Sequence, residues 1–253
     1  MMHAALIALG VALAIAFTTW IVSVIKRDAS IVDAVWSLMI LACGVVYAVV
    51  LPRGNELAHW TLALAALWAL RLSVYIIWRN WGEPEDRRYR AIRERNQPGF
   101  AAKSLYLVFG LQALLAWIVS APLLGVQGAS PAAVPGLALT AFGIAFESIA
   151  DWQVARFRAS RPGTQRVLDS GLWRYSRHPN YFGEFCVWWG FGLAALSSGA
   201  WWALVSPLLM TLLLLRVSGV ALLESDLRER KPAYRDYMQR TNAFFPGPPR
   251  ASP

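Results

Sequence analysis

Cysteine and histidine are scarce: the chain has two and three in 253 residues. Cys43 and Cys186 fall in apolar runs and supply neither a disulfide framework nor a metal-ligand pattern. His3, His59 and His178 are too scattered to indicate a metal centre. No Walker-type phosphate loop occurs, and no GxGxxG stands between a strand and a helix, so the common nucleotide-binding frameworks are excluded. Internal repeats and low-complexity segments are lacking, which predicts a single domain over 1–253. No basic n-region precedes the first apolar run, so no cleavable signal peptide is expected there. Charge is sparse too, at 15% of residues.

Apolar sequence fills the space. The chain is 57% hydrophobic, with a mean hydropathy of +0.43. Long apolar runs occupy roughly Ala4–Ile25, Ile31–Leu51, Leu57–Trp78, Leu105–Val126, Val134–Val154, Tyr181–Ser197 and Trp201–Leu223. About 20 residues cross the hydrocarbon of a bilayer. Lipid cannot satisfy backbone polar groups, so each run must be helical. The expected fold is an all-α integral membrane protein with seven transmembrane helices.

The cations set its orientation. Of 24 Lys and Arg, 22 lie at Lys26–Arg27, Arg79–Lys103, Arg156–Arg177 and Arg216–Arg250. All four groups share one side if the N-terminus is outside and the C-terminus cytoplasmic, as the positive-inside rule favours. Arg53 is left in an outer loop and Arg71 inside the third span. The net charge of +9 is then explained by orientation, anionic headgroups and a phosphorylated ligand, without nucleic acid.

Polar residues inside apolar runs mark candidate sites. Asp33 and Trp36 share a face at the start of the second span. Asp33 reads either as an interfacial carboxylate favoured by the helix dipole, with Ser30 as cap, or as an acid facing a cavity. Trp68, Arg71, Tyr75 and Trp78 form a stripe on the third span, where Arg71 needs a partner and Asp33 is one choice. The loop Arg79–Lys103 alternates in sign, as a solvated, salt-bridged element does, and Arg88 or Lys103 is placed to reach a phosphate. Gln112 is the polar residue of the fourth span. Glu147, Asp151 and Arg158 share one face of the fifth, where two acids one turn apart need donors from a ligand or from Arg156 and Arg158.

The densest cluster is Ser170–Glu184, SGLWRYSRHPNYFGE. Arg174, Tyr175, Arg177, His178, Asn180, Tyr181 and Glu184 crowd the mouth of an apolar run, an arrangement costly to desolvate without a ligand. Arginine clamps phosphate through its planar fork. Pro179 suits the first turn of a helix, and a helix start bearing such donors favours an anion. The polar tail after Glu224, with Tyr234 and Tyr237, is expected to be helical and to lie on the cytoplasmic face.

With SIVDAVW, RLSVYIIWRNWG-PEDRRY, the span-five acid and SGLWRYSRHPNYFGE in hand, the chain resembles the membrane steroid 5α-reductase superfamily in its bacterial branch. The resemblance runs from about Ser30 to the tail. It implies a seven-helix enzyme of the bacterial inner membrane, with NADPH entering from the cytoplasm. The reaction implied is reduction of the C4–C5 double bond of a 3-oxo-Δ4 steroid or similar lipophilic enone. Residues 1–103 would form the substrate side and 104–253 the cofactor side. Cofactor-lining positions would be Glu147, Asp151, Arg158, Tyr175, Asn180, Glu184 and Arg216, and the polar cluster adds Arg174, His178 and Tyr181 as cofactor-binding candidates. Asp33 falls near the family's ketone-polarising acid. The family's tyrosine position reads Trp68 here, with Tyr75 nearest, so Asp33 and Tyr75 are the catalytic candidates. Trp36, Trp68 and Arg71 would touch substrate. Partners implied are a steroid-like substrate from the bilayer and membrane lipids, with no nucleic acid, no metal and a monomeric state. The RHPxYxGE core also resembles membrane methyltransferases of prenyl-cysteine, which use S-adenosylmethionine and an acidic pair comparable to Glu224-Ser225-Asp226. A noncatalytic sterol- or lipid-binding protein is the third reading.

Overall fold

A computed structural model describes residues 1–52, 54–160, 167–217, 220, 224 and 232–250. Arg53, the turn at 161–163 and the Ser225–Asp226 pair lie outside the described residues. All regular structure among the described residues is helical. In chain order the helices are α1 (Met2–Lys26), α2 (Ile31–Val50), α3 (Glu56–Asn80) and α4 (Arg87–Arg95), then α5 (Phe100–Gly128) and α6 (Pro131–Ser160). After them come α7 (Pro179–Leu196), α8 (Trp201–Arg216) and α9 (Pro232–Arg240).

Among the described residues five helices, α1, α2, α3, α5 and α6, are long and apolar enough to cross a membrane, and α8 is a shorter apolar helix. The protein is therefore an all-α integral membrane protein. The sequence predicts seven spans. The sixth of these, Tyr181–Ser197, is the 18-residue α7, whose first two turns, with Asn180 and Glu184, keep it less apolar than the five. The seventh is described as apolar helix only to Arg216, and 218–219 and 221–223 lie outside the described residues. The fourth and fifth begin earlier and run longer than predicted, because short helical segments at Phe100–Ser104 and Pro131–Ala133 extend them.

The chain divides into two compact units, Met1–Val134 with Ala194–Ser206, and Pro135–Leu193 with Pro207–Pro253. In the first unit, small residues set helix contact. Ala4, Ala8, Ala12 and Ala16 recur every fourth residue on α1 and are all buried. Such a small-residue stripe lets helix backbones approach closely where no water drives them together. Single polar bonds tie the helices: Cys43 Sγ donates to Ala8 O at 3.6 Å, Trp117 Nε1 to Ala5 O at 2.8 Å and Ser37 Oγ to Ala69 O at 3.0 Å. Tyr47 bonds Ser120 at 2.9 Å, deep between α2 and α5. Cys43 is thus a packing residue, and both cysteines are buried and free. Large apolar side chains such as Leu13, Phe17 and Ile21 are exposed on α1, as a lipid-facing surface requires.

In the second unit, glycines let α6 and α7 cross at contact distance. A Cβ on Gly143 would lie 2.6 Å from Gly183 O, one on Gly183 2.6 Å from Glu147 N, and one on Gly190 2.6 Å from Gly136 O. Thr140 Oγ1 adds bonds to Gly136 O and Val187 O. This crossing brings the acids of α6 alongside the polar start of α7.

Candidate functional site

Two polar clusters emerge, one in each unit. In the first unit, the start of α2 meets the segment before and through α4. Asp33 Oδ1 accepts from Tyr89 OH at 2.5 Å, and Asp33 Oδ2 from Arg88 Nη2 at 2.8 Å. Tyr89 is buried. Asp86 caps α4 by accepting from Arg88 N at 2.8 Å and holds Arg88 Nε at 3.0 Å. Glu85 receives a bidentate grip from Arg93, at 2.9 and 2.7 Å, and Ala29 N at 2.7 Å. Arg93 also lies 4.5 Å from the Phe100 ring centroid, a cation–π contact.

This corner corrects three sequence expectations. The charged loop is docked rather than merely solvated, because its acids and cations pair with the 27–33 turn. Arg88 and Lys103 are not aimed at a phosphate: Arg88 binds Asp33 and Asp86, and Lys103 Nζ donates to Asn96 O at 3.1 Å. Nor does the Ser30 side chain cap α2. It donates instead to Asp28 at 2.5 Å. Burial pushes the carboxyls of Glu85 and Asp86 up, but bonds from Arg93 and Ala29 N–H to Glu85, and from Arg88 to Asp86, more than offset it. Both therefore sit below the usual carboxylate range. The Tyr89 hydroxyl is pushed up, first by burial and then by the charge of Asp33.

Along α2 and α3 the Ser37–Ala69 bond sets the register. At 1.5 Å per residue, Trp36 lies within about 3 Å along the axis of Trp68 and Arg71. Trp68 is fully buried. Tyr75 sits nearer the C-terminal end of α3, its ring 6.2 Å from that of Trp78 and 5.8 Å from the Arg79 guanidinium.

In the second unit, Glu147, Asp151 and Glu184 are 2%, 5% and 9% exposed. Asn180 Nδ2 donates to Asp151 Oδ1 at 3.3 Å. Glu147 backs directly onto Gly183, beside Glu184. Pro179 opens α7 as its first residue, as its ring favours. His178 stacks on Tyr181 with centroids 5.6 Å apart and bonds Glu224 Oε1 at 3.1 Å. Arg177 is consumed structurally. It grips Glu224 and donates to Met238 O and Thr241 O. Glu224 is raised by burial but lowered further by His178 and Arg177, ending below its ordinary value.

The segment before α7 is fastened on both sides. Trp173 Nε1 donates to Ala150 O at 3.1 Å, and Leu172 N to Gln153 Oε1 at 3.0 Å. Gly171 holds φ +61°, with the Gln153 side chain where a Cβ would sit. From the tail side, Tyr237 OH donates to Trp173 O, Ser176 Oγ to Phe244 O at 2.8 Å and Gly247 N to Tyr175 O at 3.1 Å. Arg158, Arg174, Tyr175 and Arg216 are exposed around this cluster's elements.

The structure brings Glu147 and Asp151 of α6 alongside Asn180 and Glu184 of α7, with His178 and Tyr181 stacked next to them. Sequence reasoning missed Tyr89 as the partner of Asp33 and Glu224 as the partner of Arg177. A lone tyrosine inside a run of charge was the available signal for Tyr89.

Residues 19–241 match the model of a family described as a protein of unknown function, DUF1295. The chain belongs to that family of membrane proteins. No curated protein and no solved structure matches it.

Proposed function

We propose that this protein is an NADPH-dependent reductase of lipophilic enones, acting on the C4–C5 double bond of 3-oxo-Δ4 steroids or compounds like them. The observation that carries the reading is the buried acid set of Glu147, Asp151 and Glu184 with Asn180. Buried carboxylates accept hydrogen bonds, and each oxygen can take more than one donor. Ribose hydroxyls and adenine or nicotinamide amines are such donors. Exposed Arg158 and Arg174 suit phosphates, and Tyr181, stacked on His178, offers a flat face. Arg216 completes the set drawn from the resemblance. The donor set therefore fits NADPH, and no residue of it resembles a metal site.

When bound, NADPH supplies a hydride for the β-carbon of the enone. The chain's own part is to hold the ketone oxygen with a donor as negative charge develops there, the usual place for a large electrostatic contribution. Asp33 and Tyr75 are the donors suggested by the resemblance, with Trp36, Trp68 and Arg71 against the substrate. A proton from solvent completes the α-carbon. Apolar helices admit a bilayer-dissolved substrate directly. We place the chain in a bacterial inner membrane as a monomer with seven spans, its N-terminus outside and its cofactor side cytoplasmic.

The test is a thermal-shift comparison in detergent of NADPH with S-adenosylmethionine, followed by assay of progesterone with NADPH. Stabilisation by NADPH and loss of the enone absorbance are expected. Stabilisation by S-adenosylmethionine alone would make the protein a methyltransferase, and stabilisation by neither would leave a lipid-binding protein.

A further inference from the structure

Four indole nitrogens in this fold donate to protein acceptors. Trp20 donates to Ala101 O at 2.8 Å, Trp117 to Ala5 O at 2.8 Å, Trp173 to Ala150 O at 3.1 Å and Trp189 to Thr211 Oγ1 at 3.1 Å. Trp36 departs from this pattern. Its Nε1 is buried, yet it has no acceptor among the described residues. An indole N–H is a donor only, and leaving a buried donor unmet costs about 1–3 kcal/mol.

The position of Trp36 gives that vacancy a meaning. It stands one helical turn from Asp33 on the same face of α2, level with Trp68 and Arg71 on α3. Asp33 meanwhile has a donor on each of its oxygens, Tyr89 on one and Arg88 on the other. A carboxylate held that way is an acceptor already in service, not a proton donor waiting for a ketone.

We propose that the Trp36 indole N–H, rather than Asp33, is the group that receives the acceptor oxygen of the ligand. The ligand class is a lipophilic molecule with one carbonyl at the end that enters between α2 and α3. This rests on the reductase reading, where that carbonyl is the enone ketone and the same N–H meets the oxygen as it gains charge. Asp33 then acts as a positioning residue, fixing the start of α2 through Tyr89 and Arg88.

The experiment uses the full chain in detergent and two radiolabelled probes that differ by a single oxygen, cholest-4-en-3-one and cholest-4-ene. The wild type is expected to bind the ketone about tenfold more tightly, the scale of one net hydrogen bond. Trp36→Phe and Trp36→Met, which remove the N–H, bring the ratio near one. Trp36→His, which keeps a ring N–H, retains most of it. An unchanged ratio in the Phe and Met variants overturns the assignment, as does a wild type that does not discriminate. NADPH thermal shift on the same samples separates the two ideas. Stabilisation with an unmoved ratio removes Trp36 alone. A ratio that collapses as expected, without NADPH stabilisation, keeps Trp36 and removes the reductase.

Discussion

Arg177 closes on Glu224 through two parallel hydrogen bonds, Nε to Oε1 at 2.8 Å and Nη2 to Oε2 at 3.1 Å. Its remaining nitrogen, Nη1, reaches the carbonyls of Met238 and Thr241 at 2.9 and 2.7 Å. One guanidinium therefore joins the segment before α7, Glu224 and the end of α9. Lysine has no planar fork and cannot make this set. Removing one partner of such a buried pair costs about 3–5 kcal/mol. Arg177→Lys is expected to lower Tm in detergent by many degrees, and Glu224→Gln by less, since the amide still accepts one bond. Thermal unfolding that is unmoved in both would show the contact to be idle.

The crossing of α6 and α7 makes a sharper demand. A methyl on Gly183 would sit 2.6 Å from the backbone nitrogen of Glu147, with no flexible side chain to give way. Gly183→Ala is expected to cost about 1–3 kcal/mol by overpacking. It should also part Asp151 from Asn180, so NADPH affinity falls with stability. Gly10→Ala is the control, because nothing lies within 4 Å of a Cβ there. Equal Tm for the two variants would contradict the close crossing.

Acid should release the corner of the first unit before neutral or alkaline conditions do. Glu85 and Asp86 have folded-state values below their ordinary ones. A carboxyl depressed by folding contributes stability above its unfolded value, about 4, and loses it as pH falls through the lower folded value. The protection of α4 amides relative to their intrinsic exchange rate is therefore expected to stay high from pH 8 to about 5 and to fall below about 4. Glu85→Gln should lower it at pH 7 already. Protection that is unchanged across this range would mean that the Glu85–Arg93 grip does not hold the loop.

Much of this architecture could be read from the chain because the bilayer leaves few choices: Ala4 to Ser23 and Val134 to Val154 must be helices wherever they cross lipid. The acids of α6 and the start of α7 were legible for a related reason, since Glu147, Asp151, Asn180 and Glu184 are expensive where they stand. Partner choice was not legible. Asp33 could pair with any cation on neighbouring elements, and spacing along α3 offered Arg71 as the candidate. Docking of the loop by Glu85–Arg93 and Ala29 decides in favour of Arg88 and Tyr89, and no periodicity encodes that. Glu224 was likewise obscured, because its partner Arg177 lies 47 residues away across a turn of the chain.

Asp33 itself is open to a direct comparison. Asp33→Asn keeps one acceptor oxygen and removes the charge that draws Arg88. It is expected to slow enone turnover more than it weakens NADPH binding. Tyr89→Phe, which removes the other bond, should follow in the same direction and loosen α4 in hydrogen exchange. Normal turnover with a loosened α4 would make the Asp33 contact purely a fastening.

The cofactor assignment stands or falls on two side chains beside the α6–α7 crossing. Asn180 makes one long bond to Asp151, at 3.3 Å, and is partly accessible. Glu184 lies beside the glycine contact without forming it. Truncating either should leave α6 and α7 packed, since that packing belongs to Gly143, Gly183 and Gly190. Asn180→Ala removes the group that orients Asp151, and Glu184→Ala removes an acceptor for a sugar hydroxyl or an amine. Loss of one charge-assisted hydrogen bond is worth about 1.5–3 kcal/mol, or roughly 10- to 150-fold in affinity. Each variant is expected to express and to keep its Tm without ligand, while NADPH stabilisation disappears at concentrations that saturate the wild type. Full NADPH stabilisation retained in both would remove the dinucleotide from this end of α7, whatever else the protein binds.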